Sequence, residues 1–344
     1  MKIQLSDHFA YQTLFRFTLP SVAMMIFISI YSVVDGFFVS NFAGDLPFKA
    51  VNLIMPFLMI TGTVGFMFGT GGTALVAHTY GRGDREAANR YFSLFVYTTF
   101  LIGLILAVLG WIWLPPIAGA LGARGELLDL CVLYGRIILC ALPFWVLQFL
   151  FQSFVVAAEK PRLGLLVTLG AGMTNMVLDA VLVLLLPQAY KLAGAALATA
   201  ISQVVGGVAP LIYFVRKNGT PLRLGKTRFD GRALLKACTN GSSEFMGNVS
   251  MNIVSMLYNL QLLQYAGEDG VAAYGVMMYV SMIFSAVFVG YTVGCAPVIS
   301  YHNGAEHYGE TKSLLRKSGV IVGVCGLLML LTAQLLAGPL ARLF

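Results

Sequence analysis

The chain has 344 residues, of which 58% are hydrophobic and only 11% charged, with a mean hydropathy of +0.82. Ordinary soluble domains are about 25% charged, so this composition excludes a soluble enzyme or binding module. The formal net charge of +7 would suit a nucleic-acid partner on a soluble protein, but here it is spread over alternate loops between apolar runs, and no nucleic acid is expected.

Apolar runs of about 17–25 residues are long enough to cross a bilayer as helices. In chain order they fall at 14–38, 51–79, 92–114, 127–156, 163–186, 192–215, 234–265, 271–301 and 319–336. None alternates with period two as barrel strands do, so the expectation is an all-α polytopic membrane protein with nine spans. The N-terminus carries Asp7 and His8 and shows no small-residue cleavage site after a short apolar core, so no removable signal peptide is expected.

Five of the 22 Lys and Arg residues are Lys49, Arg124, Arg136, Lys191 and Arg342. All the others lie in the N-terminal tail or in the loops after spans two, four, six and eight. Because basic loops stay cytoplasmic, the N-terminus is expected inside the cell membrane and Phe344 outside. The division expected is a six-helix bundle over 1–217, a basic cytoplasmic linker over 218–236 and a second, incomplete bundle over 237–344. A basic loop also attracts anionic lipid, so membrane lipids count among the partners. The five cysteines show no metal-ligand spacing and read as small buried apolar residues. His302 and His307 lie in a polar loop, and no metal site is expected.

The chain matches itself at long range. A shift of 221 residues places Tyr80 on Tyr301, Gly83 on Gly304 and Gly69 on Gly290, and a shift of 223 places Ala43-Gly44 on Ala266-Gly267. Parallel repeats with substrate held between the halves are a known transporter plan. Six spans in the first half call for six in the second, so three further helices and a longer, twelve-span protein are expected.

Asp35, Asp179 and Glu244 are acidic residues within apolar runs. Each costs at least about 2.5–3.5 kcal/mol on insertion scales, so each faces protein or a water-filled path. Span one runs outward and puts Asp35 about 30 Å along it, in the outer half. Span five runs outward to Asp179, and span six returns through Thr199 within its first two turns. Tyr31 is four residues before Asp35 and Asn175 four before Asp179, so each pair shares a helix face. Tyr134 on span four reaches a similar level, with Gln148 deeper. Two carboxyls, an amide and hydroxyls can give hard oxygen ligands to a small cation, or carry a proton between neighbouring carboxyls. They can also simply tie helices together. Glu244 on span seven can bind a cationic substrate or a coupling ion, or pair structurally.

Several short motifs stand in a specific order: Tyr31-Ser-Val-Val-Asp35-Gly36, Tyr80-Gly81-Arg82-Gly83-Asp84, Ala158-Glu159-Lys160-Pro161-Arg162, Asn175-Met-Val-Leu-Asp179 and Gly194-Ala195-Ala196-Leu197-Ala198-Thr199. In these the whole chain resembles the first three-quarters of a MATE (multidrug and toxic compound extrusion) transporter. The resemblance implies two bundles around a central cavity and export of cationic or amphipathic compounds in exchange for H⁺ or Na⁺, with no other cofactor. It implies an ion site at Asp35, Asn175, Asp179 and Thr199, with Tyr31 and Tyr134 nearby. Gln148 and Gln152 stand where members often have Asn in span four and join Glu244 as cavity candidates. Glu244 matches an acidic position of many members, whose usual acidic partner in span ten is absent from this sequence. The alternatives are a lipid-linked oligosaccharide flippase, a passive channel and an intramembrane enzyme using Asp35 and Asp179. The flippase would need cationic residues in the cavity, and the enzyme lacks a catalytic motif beside its aspartates.

Overall fold

The computed structural model describes residues 3–216 and 219–341. Lys2, Lys217 and Arg342, together with the boundary expected at 217/218, lie outside the described residues. Three helix starts have a local cause. Asp84 caps the helix Arg85–Ala120 by accepting from the Ala87 amide at 2.9 Å, and Pro161 opens the helix Pro161–Leu185 at a position that needs no amide donor. Asp230 caps the helix Gly231–Gly304 through the amides of Arg232 and Ala233.

The helices in order are α1 (Tyr11–Phe38), α2 (Asp45–Gly81), α3 (Arg85–Ala120), α4 (Glu126–Ala157), α5 (Pro161–Leu185), α6 (Lys191–Val215), α7 (Gly231–Gly304) and α8 (Tyr308–Ala341). A π-helical turn, Val39–Ala43, extends α1, and a short 3₁₀ turn, Gln188–Tyr190, precedes α6. Helices α1 to α6 match the first six expected spans within a few residues, apart from longer ends on α2 and α3. Among the described residues, eight stretches are long and apolar enough to cross a membrane, against the nine expected.

The difference falls in α7, one helical element over Gly231–Gly304 where two spans joined by a loop near residue 266 were expected. A straight helix of 74 residues would be about 110 Å long. Yet Asn240 near its start and Ser300 near its end line the same cavity, so α7 doubles back and contributes two arms. Both arms lie against α2: Gly71 meets Ala237 O and Gly241 N, and Gly81 meets Tyr301 O. Tyr80 and Tyr301, which the 221-residue shift aligns, stand 5.3 Å apart between ring centroids.

The exposed surface is apolar where lipid would lie. On α3, Leu101, Leu104, Ile105, Val108, Ile112 and Trp113 are all exposed, the pattern of a helix solvated by hydrocarbon rather than water. Trp111 receives the Arg136 guanidinium 4.2 Å above its ring, pairing a cation with an aromatic of the kind that gathers at membrane interfaces.

The segment joining α6 to α7 is fastened rather than loose. Asn89, Ser93 and Tyr97 lie at i, i+4 and i+8 on α3 and form a polar ladder beneath it. Asn89 Oδ1 accepts from Arg223 N at 2.7 Å, Ser93 Oγ accepts from Gly225 N at 3.0 Å, and Tyr97 donates to Gly225 O at 3.3 Å. Helix α7 then begins at Gly231, inside the linker range expected from sequence.

Candidate ion-coupling site

The residues of the candidate ion cluster come from α1, α4, α5 and α6. Close approach of α5 to α1 depends on Gly172, where a Cβ would stand 2.5 Å from Phe27 Cε1 and 3.0 Å from Tyr31 Cδ1. One turn further along α5 is Asn175, and one more is Asp179, so the small residue sets the spacing at which the two acidic helices face each other. Gly172→Ala is expected to cost about 1–3 kcal/mol by overpacking. Thermal unfolding of the purified protein checks this, and an unchanged midpoint would show that the helices have slack here.

Asp179 is 0% exposed and Asn175 2%. The Thr199 hydroxyl donates to Asp35 Oδ1 at 3.4 Å, and Asn175 Nδ2 donates to Thr199 Oγ1 at 3.4 Å. Asp35 and Asp179 lie within electrostatic reach of one another. Tyr134, fully buried, is within reach of both carboxyls and places its hydroxyl 3.9 Å from Met55 Sδ. Tyr31 stands beside Asp35 on α1. Both carboxyl oxygens of Asp179 and Oδ1 of Asn175 are buried without a well-formed hydrogen bond among the described residues. Buried acceptors left without donors are costly. Three of them around two acidic groups are what a bound proton or small hard cation would satisfy.

The cavity candidates lie elsewhere and do not form one group. Gln148 and Gln152 on α4 are 7% and 4% exposed and line a small void inside the first bundle with Met24, Thr168 and Gly206. The Gln148 side chain packs on Gly206, where a Cβ would come within 2.5 Å of its Cδ. Glu244 instead lines a cleft of about 300 Å³ between α2, α4 and both arms of α7, with Phe66, Thr73, Ser153, Phe288 and Pro297. The hydroxyls of Thr73 and Ser153 are buried without partners among the described residues. Sequence reasoning missed both as cleft residues, because an isolated Thr or Ser in a membrane helix more often bonds its own backbone.

Among the described residues, eight membrane-length stretches, an acidic cluster inside one bundle and a polar cleft beside it fit a multi-pass membrane transporter rather than an enzyme. The MatE family model matches residues 20–181 and 245–344, and the chain belongs to that family of transporters. It is 27% identical over 332 residues to the multidrug export protein MepA of Staphylococcus haemolyticus (strain JCSC1435), covering 95% of this chain and 72% of that protein. It is 26% identical to the protein of the same name from Staphylococcus aureus (strain MRSA252), covering 92% of this chain and 70% of that one. Among solved structures, it superposes on the outward-facing conformation of a multidrug resistance MATE family transporter with a TM-score of 0.91 and 20% identity, covering 99% of this chain and 76% of the other. A MATE crystal structure in complex with MaD3S gives a TM-score of 0.89 at 20% identity, over 97% and 75% of the two chains. At that identity the superpositions establish the fold alone.

Proposed function

We propose that this protein exports cationic or amphipathic small molecules across the cytoplasmic membrane in exchange for H⁺ or Na⁺, and that Asp35, Asn175, Asp179 and Thr199 bind the coupling ion. The observation that carries this reading is the set of buried, unsatisfied oxygens around two neighbouring carboxyls. Such a group is unstable unless an ion joins it, so occupancy and conformation become linked. Helix α1 supplies the connection. It carries Asp35 in the cluster, and its Thr18 and Val22 backbone meets Gly294 and Gly290 of α7. An ion entering the cluster therefore acts on a helix that also touches the second bundle.

The export of drugs is suggested by the names of the MepA relatives. The chemistry of the cleft agrees with a cation: Glu244 is the one ionisable residue among the described residues that line it, with Phe66, Phe288 and the Thr73 and Ser153 hydroxyls. A flippase for lipid-linked oligosaccharide phosphates would need the opposite charge there. Glu244→Gln is expected to weaken cationic substrates about tenfold, since a charge-assisted contact is worth roughly 1.5–3 kcal/mol, while neutral amphipaths keep their affinity. Equal weakening of both classes, measured by competition against a fluorescent cation, would remove Glu244 from charge recognition.

The test of the function itself is uphill movement. Full-length protein in sealed vesicles should accumulate a fluorescent cation when a proton or sodium gradient is imposed, and should stop when the gradient is collapsed. Equilibration without accumulation would identify a channel instead.

The orientation follows from the basic residues. Arg90, Arg228 and Arg232 gather at one cavity, and Arg82 and Lys236 at another. Arg16, Lys160 and Arg162 meet at a third. We take this end as cytoplasmic. A single cysteine at Lys226 should react with an impermeant maleimide only in opened cells, and one at Gly122 in intact cells. The reverse pattern would invert the assignment.

A further inference from the structure

The start of α7, the fastened segment before it and the second turn of α3 enclose a cavity of about 600 Å³ that lies apart from the ion cluster and the Glu244 cleft. Arg90, Arg228 and Arg232 line it, with Tyr91, Phe229 and Leu235. Its register is fixed by Thr227, whose hydroxyl donates to Arg90 O at 2.8 Å. That bond holds the backbone beside Arg228 against the backbone of Arg90. Among the described residues Asp230 is the only acidic one lining it, and its Oδ1 is engaged by the amides of Arg232 and Ala233. Among the described residues the single ion pair is His8 with Glu310, so none of the three guanidinium groups is neutralised.

Three unpaired arginines around one basin suit a phosphate, because a guanidinium presents parallel donors to two phosphate oxygens. The surroundings suit a lipid. Phe229 is 84% exposed and Leu235 66%, a poor arrangement in water but a favourable one at the boundary between headgroups and acyl chains. Arg90 sits two residues before Phe92, where the apolar stretch of α3 begins, which puts the guanidinium at headgroup level.

We propose that Arg90, Arg228 and Arg232 bind the phosphate of an anionic phospholipid headgroup, with Phe229 and Leu235 against its glycerol and acyl portion. The bound lipid would sit on the segment that joins the two bundles and hold it against α3. The site needs neither the coupling ion nor a transport substrate, so it is tested separately from the antiport reading.

The experiment measures association of a spin-labelled phosphatidylglycerol with the purified full-length protein in neutral detergent, using labelled phosphatidylcholine as reference. Wild type is expected to favour phosphatidylglycerol. Each of R90Q, R228Q and R232Q is expected to lose about fivefold of that preference, the effect of one basic side chain near an anionic surface. The pair K49Q and K191Q, whose positions precede α2 residue Ala50 and open α6, should lose none. Equal losses in that pair would mean diffuse charge attraction and overturn the site. Displacement of the label by millimolar inorganic phosphate as readily as by unlabelled lipid would assign the basin to a soluble phosphate ester and overturn the lipid assignment. F229S should weaken the lipid while leaving the melting temperature unchanged. If the glutamine variants misfold, R90K/R228K/R232K is read instead. It keeps the charge but loses the paired donors, and a wild-type preference in it would contradict the arginine geometry.

Discussion

Asp35→Asn and Asp179→Asn are each expected to bring gradient-driven export to background while leaving protein level and folding intact. Asparagine keeps the size of the side chain and most of its hydrogen bonding, so helix packing through Gly172 is preserved. What it cannot do is carry charge or exchange a proton. Removing one partner from a buried charged arrangement costs about 3–5 kcal/mol, on the order of a hundredfold or more in ion affinity. Asp179 should be the more sensitive, because it is fully buried while Asp35 is partly exposed and its Oδ1 accepts from Thr199. A lipid-facing change such as Leu104→Ala should have little effect. The measurement is uptake of a fluorescent cation into inverted vesicles, normalised to protein. Wild-type rates in both asparagine variants would leave the aspartates as helix ties.

The second large effect is expected at the seam between the bundles. Gly71 faces the Ala237 carbonyl and the Gly241 amide, and Gly304 faces the carbonyl of His78. In both places a side chain would meet backbone, which cannot rotate away. Gly71→Val therefore pushes the first arm of α7 off α2, and overpacking of about 1–3 kcal/mol is enough to shift a two-state closure about 5–150-fold. The end bearing the basic residues should open. A cysteine at Thr79, which lines the cavity there with Asn240 and Ser300, should then react faster with a hydrophilic maleimide, and export should fall because the seal no longer forms. Unchanged labelling in Gly71→Val would show that this contact does not govern closure.

Much of this architecture can be read from residue order. Punctuation marks two of the starts, with Pro161 after Lys160 opening α5 and Asp84 capping α3, and long apolar runs mark the other helices of the first bundle. The gathering of Asp35, Asn175 and Thr199 was legible because two independent rules agree on it. Helix spacing puts Tyr31 with Asp35 and Asn175 with Asp179, and span direction brings them level with Thr199. Glu244 was legible as an acidic residue out of place, but its neighbours were not, since Thr73, Ser153 and Phe288 carry no sequence signal of facing a cleft. Gln148 and Gln152 became cavity candidates through the resemblance alone, and their place inside the first bundle, where Gly206 leaves room for an amide, carries no signal in the sequence. The unbroken α7 escaped because Ala266–Gly270 contains two glycines, which usually mark a turn but do not forbid helical dihedrals. The fastening of the segment before α7 escaped for a related reason. Asn89, Ser93 and Tyr97 look like an ordinary polar stripe until the chain that lies on them is seen.

The most direct test of ion coupling at the Asp35–Asp179 cluster is release of the ion on substrate binding. Purified full-length protein is loaded at fixed pH and sodium concentration, a cationic substrate is added, and the protons or sodium ions released are counted by a pH dye or by radioactive sodium. The account predicts release from wild type and none from Asp179→Asn, with Glu244→Gln retaining release at higher substrate concentration. Equal release from wild type and Asp179→Asn, or substrate binding by wild type with no ion released, would contradict it.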